Sequence, residues 1–221
     1  MTALVRYQLA LLVRSQRWLP PVLAYAALVG VGVRAGQPVL DSLGYAAAML
    51  LPVAAWLVRI CVTAEPDAAR HCAAALAGPA RAHVSAVLAG GAGAGVLGAV
   101  GTGVVVAISD PHSTDGRVAV PLLPAAGAGL VAAAACGVVG AGVGALCSRP
   151  VVRGRGWGVL SLLGGVVVVL VAGASPANAA VQGLVSASRA GSVPSPWPSL
   201  LASLAFTTCA LACAATLTPR R

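Results

Sequence analysis

Residues 84–108 read VSAVLAGGAGAGVLGAVGTGVVVAI, without a charged residue or a histidine. A helix of this length would rise ~38 Å, and about 20 apolar residues already suffice to cross the hydrocarbon core of a bilayer. The stretch is therefore predicted to be a transmembrane helix.

Apolar stretches of this kind recur along the whole chain. Hydrophobic residues make up 59% of the 221 residues and charged residues only 9%, whereas soluble domains have about 25% charged residues. One soluble core could not bury so much apolar surface, so the bilayer must act as the solvent. We predict an all-α integral membrane protein, a single transmembrane domain with about six transmembrane helices. The stretches without a charged residue are 20–33, 44–58, 84–108, 118–146, 158–174 and 199–217.

The arginines predict the orientation of these helices. All fourteen basic residues are arginine, and they stand singly or in small groups between the apolar stretches. Such a pattern is typical of the positive-inside rule and not of a nucleic-acid groove, so no nucleic acid is expected as a partner. With both termini in the cytoplasm of a cell membrane, three arginines lie outside, namely Arg34, Arg117 and Arg189. The eleven inside are Arg6, Arg14, Arg17, Arg59, Arg70, Arg81, Arg149, Arg153, Arg155, Arg220 and Arg221.

The first residues predict a helix that lies along the membrane surface. In residues 2–18, the side chains of Arg6, Arg14 and Arg17 fall within an arc of roughly 80° on a helical wheel, opposite a face rich in leucine and valine. Trp18 would anchor this amphipathic helix in the interface. The alternative is an extended start to the first span.

A polar segment over residues 63–83 separates the second span from the third. Glu65 and Asp67 suit the first turn of a short cytoplasmic helix that also carries Arg70 and His71. Thr63 is the predicted N-cap of this helix, and Gly78-Pro79 is its predicted end. An ordinary charged loop is the alternative.

Small residues in the third and fourth spans predict close helix packing. Gly91 and Gly95 stand four residues apart, as do Gly140 and Gly144. This spacing lets helix backbones approach closely in a membrane, although it also arises by chance in a chain so rich in glycine and alanine.

The available side chains exclude several kinds of chemistry. The chain has no lysine, so it cannot form a P-loop, and any ATP must bind to another subunit. No CxxC pair occurs, and no charged residue or histidine lies within the apolar stretches. This disfavours intramembrane enzymes, metal sites and ion-coupled carriers, which need such groups at membrane depth. We expect no enzymatic activity, no metal and no cofactor in this chain.

The order of these elements resembles the six-span permease subunit of bacterial ATP-binding-cassette transporters of the exporter type. The similarity covers nearly the whole chain: an arginine-bearing interfacial helix, a proline break at Pro20-Pro21, two spans over 19–62, and a short helix that starts at Thr63 in the segment TAEPDAARH. Three more spans over 84–174, a partly polar segment and a last span over 199–217 complete it.

The resemblance implies roles by position. Residues 2–18 would be the elbow helix, 63–77 the coupling helix, and 175–198 an external re-entrant segment. Glu65, Asp67, Arg70 and His71 would contact a separate ATPase subunit, which binds ATP and Mg. A second permease subunit, identical or related, would complete an alternating-access pathway that exports an amphipathic or hydrophobic substrate.

Two other functions remain open at this point. One is a non-transporting membrane scaffold or sensor subunit, and the other is a secondary carrier. The carrier is disfavoured because the two halves of the sequence show no convincing internal repeat.

Overall fold

The structure, a computed structural model, describes residues 1–147, 155–193 and 195–216. Within these ranges the side chains of Asp67, Arg70, Arg155 and residues 213–216 lie outside the description. The described residues are almost entirely helical. The helices are α1 (Thr2–Ser15), α2 (Leu19–Gly32), α3 (Val39–Ala64), α4 (Asp67–Ala77), α5 (Pro79–Ile108), α6 (Leu122–Leu146), α7 (Arg155–Val171), α8 (Pro176–Ala190) and α9 (Trp197–Thr216).

Among the described residues, three helices, α3, α5 and α6, are long and apolar enough to cross a membrane. The pair α7 and α8, bent by 46° at a short break, passes the same test when it is taken as one span. The helices α2 and α9 are apolar but shorter. The prediction of a membrane-embedded helical protein is confirmed, whereas six spans and the cytoplasmic position of both termini stay predictions.

Helix α3 forms the centre of the bundle, and α2, α5, α6 and α8 all pack around it. The contact with α6 is close because glycine replaces a side chain at two crossing points. A Cβ atom at Gly144 would lie 2.6 Å from the carbonyl oxygen of Ala55, and one at Gly140 would collide with the carbonyl of Leu51. Backbones that approach this closely gain van der Waals contact, which is a main source of helix association in lipid.

The bundle has two distinct ends. The basic end holds α1, α4 and the junction of α6 with α7, where the Arg59 Nη1 atom donates a hydrogen bond to the carbonyl oxygen of Cys147 at 3.3 Å. This guanidinium also packs against Gly158 of α7. A cation at this position satisfies a carbonyl that the C-terminus of α6 leaves without a helical partner.

The polar-loop end holds the connections over residues 33–38 and 109–121. The backbone amide of Asp110 donates to the carbonyl of Gln37 at 2.8 Å, and the amide of Val39 donates to the carbonyl of Asp110 at 3.1 Å. The amide of Thr114 reaches the carbonyl of Ser188 near the end of α8 at 3.1 Å. These bonds join the loop before α3, the loop before α6 and α8 into one layer.

The pair α7 and α8 runs between the two ends. Helix α7 begins at the basic end beside Arg59, and α8 ends at the polar-loop end beside Thr114. Between them, the Cys136 thiol donates to the carbonyl of Ala177 at 3.9 Å. The range 175–198, assigned from the resemblance to an external re-entrant segment, thus forms α8 over most of its length, and α8 packs on α3 and α6 inside the bundle.

Candidate functional site

Helix α4 is a short, separate element at the basic end. Helix α3 continues to Ala64, and Pro66 then occupies the N-cap position of α4. Gly78 ends the helix with a φ of 88°, a conformation open to glycine, while its amide donates to the carbonyl of Ala74 at 2.9 Å. Pro79 then opens α5 at a position where proline is favoured.

The prediction of Thr63 as the N-cap of this helix is wrong. Thr63 lies in the last turn of α3, and its Oγ1 atom donates to the carbonyl of Arg59 at 2.8 Å. A threonine hydroxyl that bonds back to the carbonyl four residues earlier is satisfied within its own helix. The helix therefore continues past the threonine, and α4 starts at Asp67.

One face of α4 is exposed and mostly apolar. Ala68, His71, Cys72, Ala75 and Leu76 are exposed, and they recur at intervals of three and four residues. This spacing places them on one side of the helix. Leu76 is 90% exposed, which is an extreme value for a leucine. We call this face the α4 ridge.

The residues predicted as ATPase contacts have different positions in the structure. His71 lies on the α4 ridge. Glu65 precedes α4 and is turned toward α1, where its Oε2 atom accepts a hydrogen bond from Gln8 Nε2 at 3.2 Å. The side chains of Asp67 and Arg70 lie outside the described residues. Cys72 and Leu76 were not predicted, although the apolar pattern of Ala68, Cys72 and Leu76 at four-residue spacing was the signal for them.

Helix α1 is fastened to this end of the bundle by one face. Leu12 and Gln8 are buried at 6% and 3% exposure, and α1 packs on α5 and α3. The pKa of Tyr7 is raised, first by partial removal of the side chain from water. The neighbouring Glu65 carboxylate, which shares a hydrogen bond with Tyr7, raises it further. Gln8, which interrupts the apolar face in the sequence, is thus the residue that links α1 to the turn before α4.

The predicted interfacial anchors lie on α1 and in the turn that follows it. Arg6, Arg14 and Arg17 are exposed. The indole Nε1 atom of Trp18 donates to the carbonyl of Val13 at 3.3 Å, and its ring is half-buried against the core. The helix ends at Ser15, three residues earlier than predicted, because Gln16 adopts a left-handed conformation.

An apolar groove of about 550 Å³ runs between α5 and α9, with α6 at its floor. Gly91 and Gly95 line it, and a Cβ atom at either would meet nothing within 4 Å. Gly140 and Gly144, by contrast, face α3. The two glycine pairs that the sequence predicts to pack helices therefore lie in different surroundings, one buried and one open.

The polar-loop end carries a second group of polar side chains. The Thr114 hydroxyl lies 3.0 Å from both Asp41 Oδ2 and Ser188 Oγ, and His112 Nδ1 lies 2.7 Å from Asp110 Oδ1. Among the residues that the structure describes, no three His, Cys, Asp or Glu side chains could hold a metal ion together. These contacts tie the loops to each other.

The five cysteines whose side chains the structure describes lie in different surroundings. Cys61 and Cys136 are buried in the core, whereas Cys72 and Cys209 are exposed. Cys147 lies at the junction of α6 and α7, where its thiol donates to the carbonyl of Ser161 at 3.3 Å.

No protein-family model matches the chain, and no curated protein or solved structure matches it either.

Proposed function

We propose that this chain is the membrane-spanning permease subunit of an ATP-binding-cassette transporter, and that α4 is the coupling helix that docks on a separate ATPase subunit. The α4 ridge carries this proposal. It is a short, exposed, largely apolar helix face between two long apolar helices, at the end of the bundle that is rich in arginine.

The exposure of Leu76 is the main physical reason to expect a partner. A leucine that is 90% exposed on a helix leaves apolar surface in water, and burying it on a partner would contribute about 1.5–3 kcal/mol. Helix α4 packs mainly on α5, so the ridge is free to enter a cleft in another subunit. A helix that inserts an apolar face into a groove is a common mode of protein recognition.

The connections of α4 would let it pass a movement of the ATPase subunit to the transmembrane helices. It follows α3, the central helix of the bundle, and precedes α5 after the single residue Gly78. The turn before α4 is joined to α1 through Glu65 and Gln8. A displacement of α4 by an ATPase would therefore act on three helices at once.

The interior of the bundle agrees with a hydrophobic or amphipathic substrate. Among the residues that the structure describes, the fully buried large side chains are mainly leucine and valine, and the buried polar side chains besides Tyr25 are Ser, Thr and a single Gln. Ion-coupled carriers place ionisable groups at membrane depth to bind the coupling ion. Transport through this bundle would take its energy from a partner, and a second permease subunit would complete the pathway.

The proposal is tested by placing a charge on the α4 ridge. Leu76→Glu should weaken co-purification of the ATPase subunit by about ten-fold or more, because a buried carboxylate would replace an apolar anchor. Ala80→Glu is the matched control, since Ala80 is exposed in the first turn of α5, where an acidic residue is favourable.

The outcomes separate the candidate functions. If Leu76→Glu and the unchanged chain retain the ATPase equally, α4 is not the docking helix. If the Leu76-dependent partner lacks nucleotide-binding motifs, the scaffold or sensor function replaces the transporter.

A further inference from the structure

The break between α7 and α8 lies near the middle of the bundle. Ala177, one residue into α8, contacts Cys136, which stands fourteen residues along α6 from Leu122 and ten from Leu146. With a rise of about 1.5 Å per residue, these intervals are ~21 Å and ~15 Å. Residues 172–175 therefore interrupt the helical backbone at about half the depth of α6.

Ser175 occupies the N-cap position of α8 without capping it. The residue is 8% exposed, and its hydroxyl oxygen is buried without a hydrogen-bond partner. Its side chain makes no capping bond to the first turn of α8. An unpaired buried hydroxyl costs free energy, more so at membrane depth, where water is scarce. Ser175 is thus a polar group with unused hydrogen-bonding capacity.

The first turn of α8 offers two more donors beside this hydroxyl. The first amides of a helix have no partner inside the helix, and Pro176 contributes none. The amides of Ala177 and Asn178 remain, and within the described residues neither donates to an acceptor. The Asn178 side chain reaches back across the break, where its Nδ2 atom donates to the carbonyl of Ala172 at 3.4 Å.

The break opens to the outside of the bundle. Ala172, Gly173 and Ala174 are exposed, while Ser175 behind them is buried. A molecule in the surrounding lipid could thus approach the N-terminus of α8 laterally. No acidic residue occurs anywhere after Asp115 in the sequence, so the two helices of the break bring no carboxylate to oppose an anion, and only the partial negative charge at the C-terminus of α7 acts against one.

We propose that this break binds the carboxylate of a long-chain amphiphile, with the Ser175 hydroxyl and the amides of Ala177 and Asn178 as donors. The positive end of the α8 dipole favours an anion at this point. Three donors match the two oxygens of a carboxylate. A phosphate would bring a larger charge and a third oxygen into a site at membrane depth. The acyl chain would lie along the exposed apolar face of α7, which includes Val167, Val168 and Val171.

This inference goes beyond the proposed function and does not depend on it, because binding is a property of the isolated chain. The experiment uses the full chain in phosphatidylcholine nanodiscs and measures the binding of radiolabelled laurate. Dodecanol, which has the same chain length and no carboxylate, serves as the neutral probe.

Ser175→Ala is the deciding variant. It removes a hydroxyl that has no partner, so the protein should unfold at the same temperature or a higher one. Laurate affinity should fall about ten-fold, with dodecanol unaffected. Ser203→Ala is the matched control, because Ser203 is fully buried but its hydroxyl already donates to the carbonyl of Ser199 at 2.7 Å.

The proposal is overturned if laurate fails to bind, if Ser175→Ala binds it as tightly as the unchanged chain, or if Ser203→Ala weakens it equally. Tighter, Ser175-dependent binding of dodecyl phosphate would overturn the choice of a carboxylate. Loss of the ATPase in the α4 experiment would leave this result untouched.

Discussion

Tyr25 and Tyr45 each donate a hydrogen bond from their own helix to the backbone of the other's helix. The Tyr25 hydroxyl on α2 donates to the carbonyl of Ala46 on α3 at 3.3 Å, and the Tyr45 hydroxyl on α3 donates to the carbonyl of Leu28 on α2 at 3.2 Å. Helix α2 is one of the two shorter apolar helices, and this reciprocal pair holds it to the centre of the bundle.

Tyr25→Phe should destabilise the bundle by about 0.6–1.5 kcal/mol, because it removes a hydrogen bond between two helices at a buried site where no water can take its place. Tyr45→Phe should cost less, since its exposed hydroxyl lies in the second turn of α3, near the polar-loop end, where water can compete for the bond. Thermal unfolding in detergent, followed by circular dichroism, measures both variants. An equal or larger loss from Tyr45→Phe would contradict the described burial of Tyr25.

Gly140→Val should destabilise the contact between α3 and α6. Any Cβ atom at this position meets the carbonyl of Leu51, so the helices must separate at a cost of about 2–3 kcal/mol. Gly91→Val is the matched change in an open position, where a side chain meets nothing, and its effect on the unfolding temperature should be small. Equal losses from both variants would show that the groove beside α5 is closed in the folded protein.

The contact between Gln8 and Glu65 should appear as a coupling free energy. A double-mutant cycle with Gln8→Ala and Glu65→Ala isolates the bond between α1 and the turn before α4. We expect a coupling of about 0.5–1.5 kcal/mol, since one partner is charged and the other is buried. Additive effects on stability would mean that the two side chains do not meet.

The ionisation of Tyr7 offers a pH-dependent check on the same contact. Its pKa is raised above the ordinary value of 10.0, first by burial and then by Glu65. The native state therefore favours the neutral phenol, and the stabilisation is present below pH 10 and is lost as pH rises through the raised pKa.

Glu65→Gln should lower the pKa of Tyr7 toward 10.0 without reaching it, because burial is the larger cause. The absorbance of phenolate at 295 nm, with Tyr7→Phe as the blank, follows this titration. An unchanged pKa in Glu65→Gln would place the carboxylate away from Tyr7.

The sequence predicted the apolar helices well because their cause is local. A run such as residues 84–108, which has no charged residue, is favourable only in an apolar environment such as the bilayer. In the structure this run forms most of α5. Features that depend on contacts between distant residues were beyond such reasoning. The direction in which Glu65 points depends on Gln8, which lies 57 positions away along the chain.

The break between α7 and α8 shows the same limit. Residues 174–178 read ASPAN, and nothing local in this stretch says that it lies beside Cys136 at the middle of α6. The α4 ridge could have been predicted, because the four-residue spacing of Ala68, Cys72 and Leu76 is visible in the sequence. The prediction instead named the charged residues nearby, including Glu65, as the ATPase contacts.

The proposed docking of an ATPase subunit on this chain can be tested in a single experiment. The most direct measurement is affinity purification of the full chain from its native host in mild detergent, followed by mass spectrometry of whatever accompanies it. A stoichiometric ATP-binding-cassette ATPase, lost in Leu76→Glu and retained in Ala80→Glu, is the predicted result. A chain that purifies alone, or with partners that bind no nucleotide, would contradict the claim.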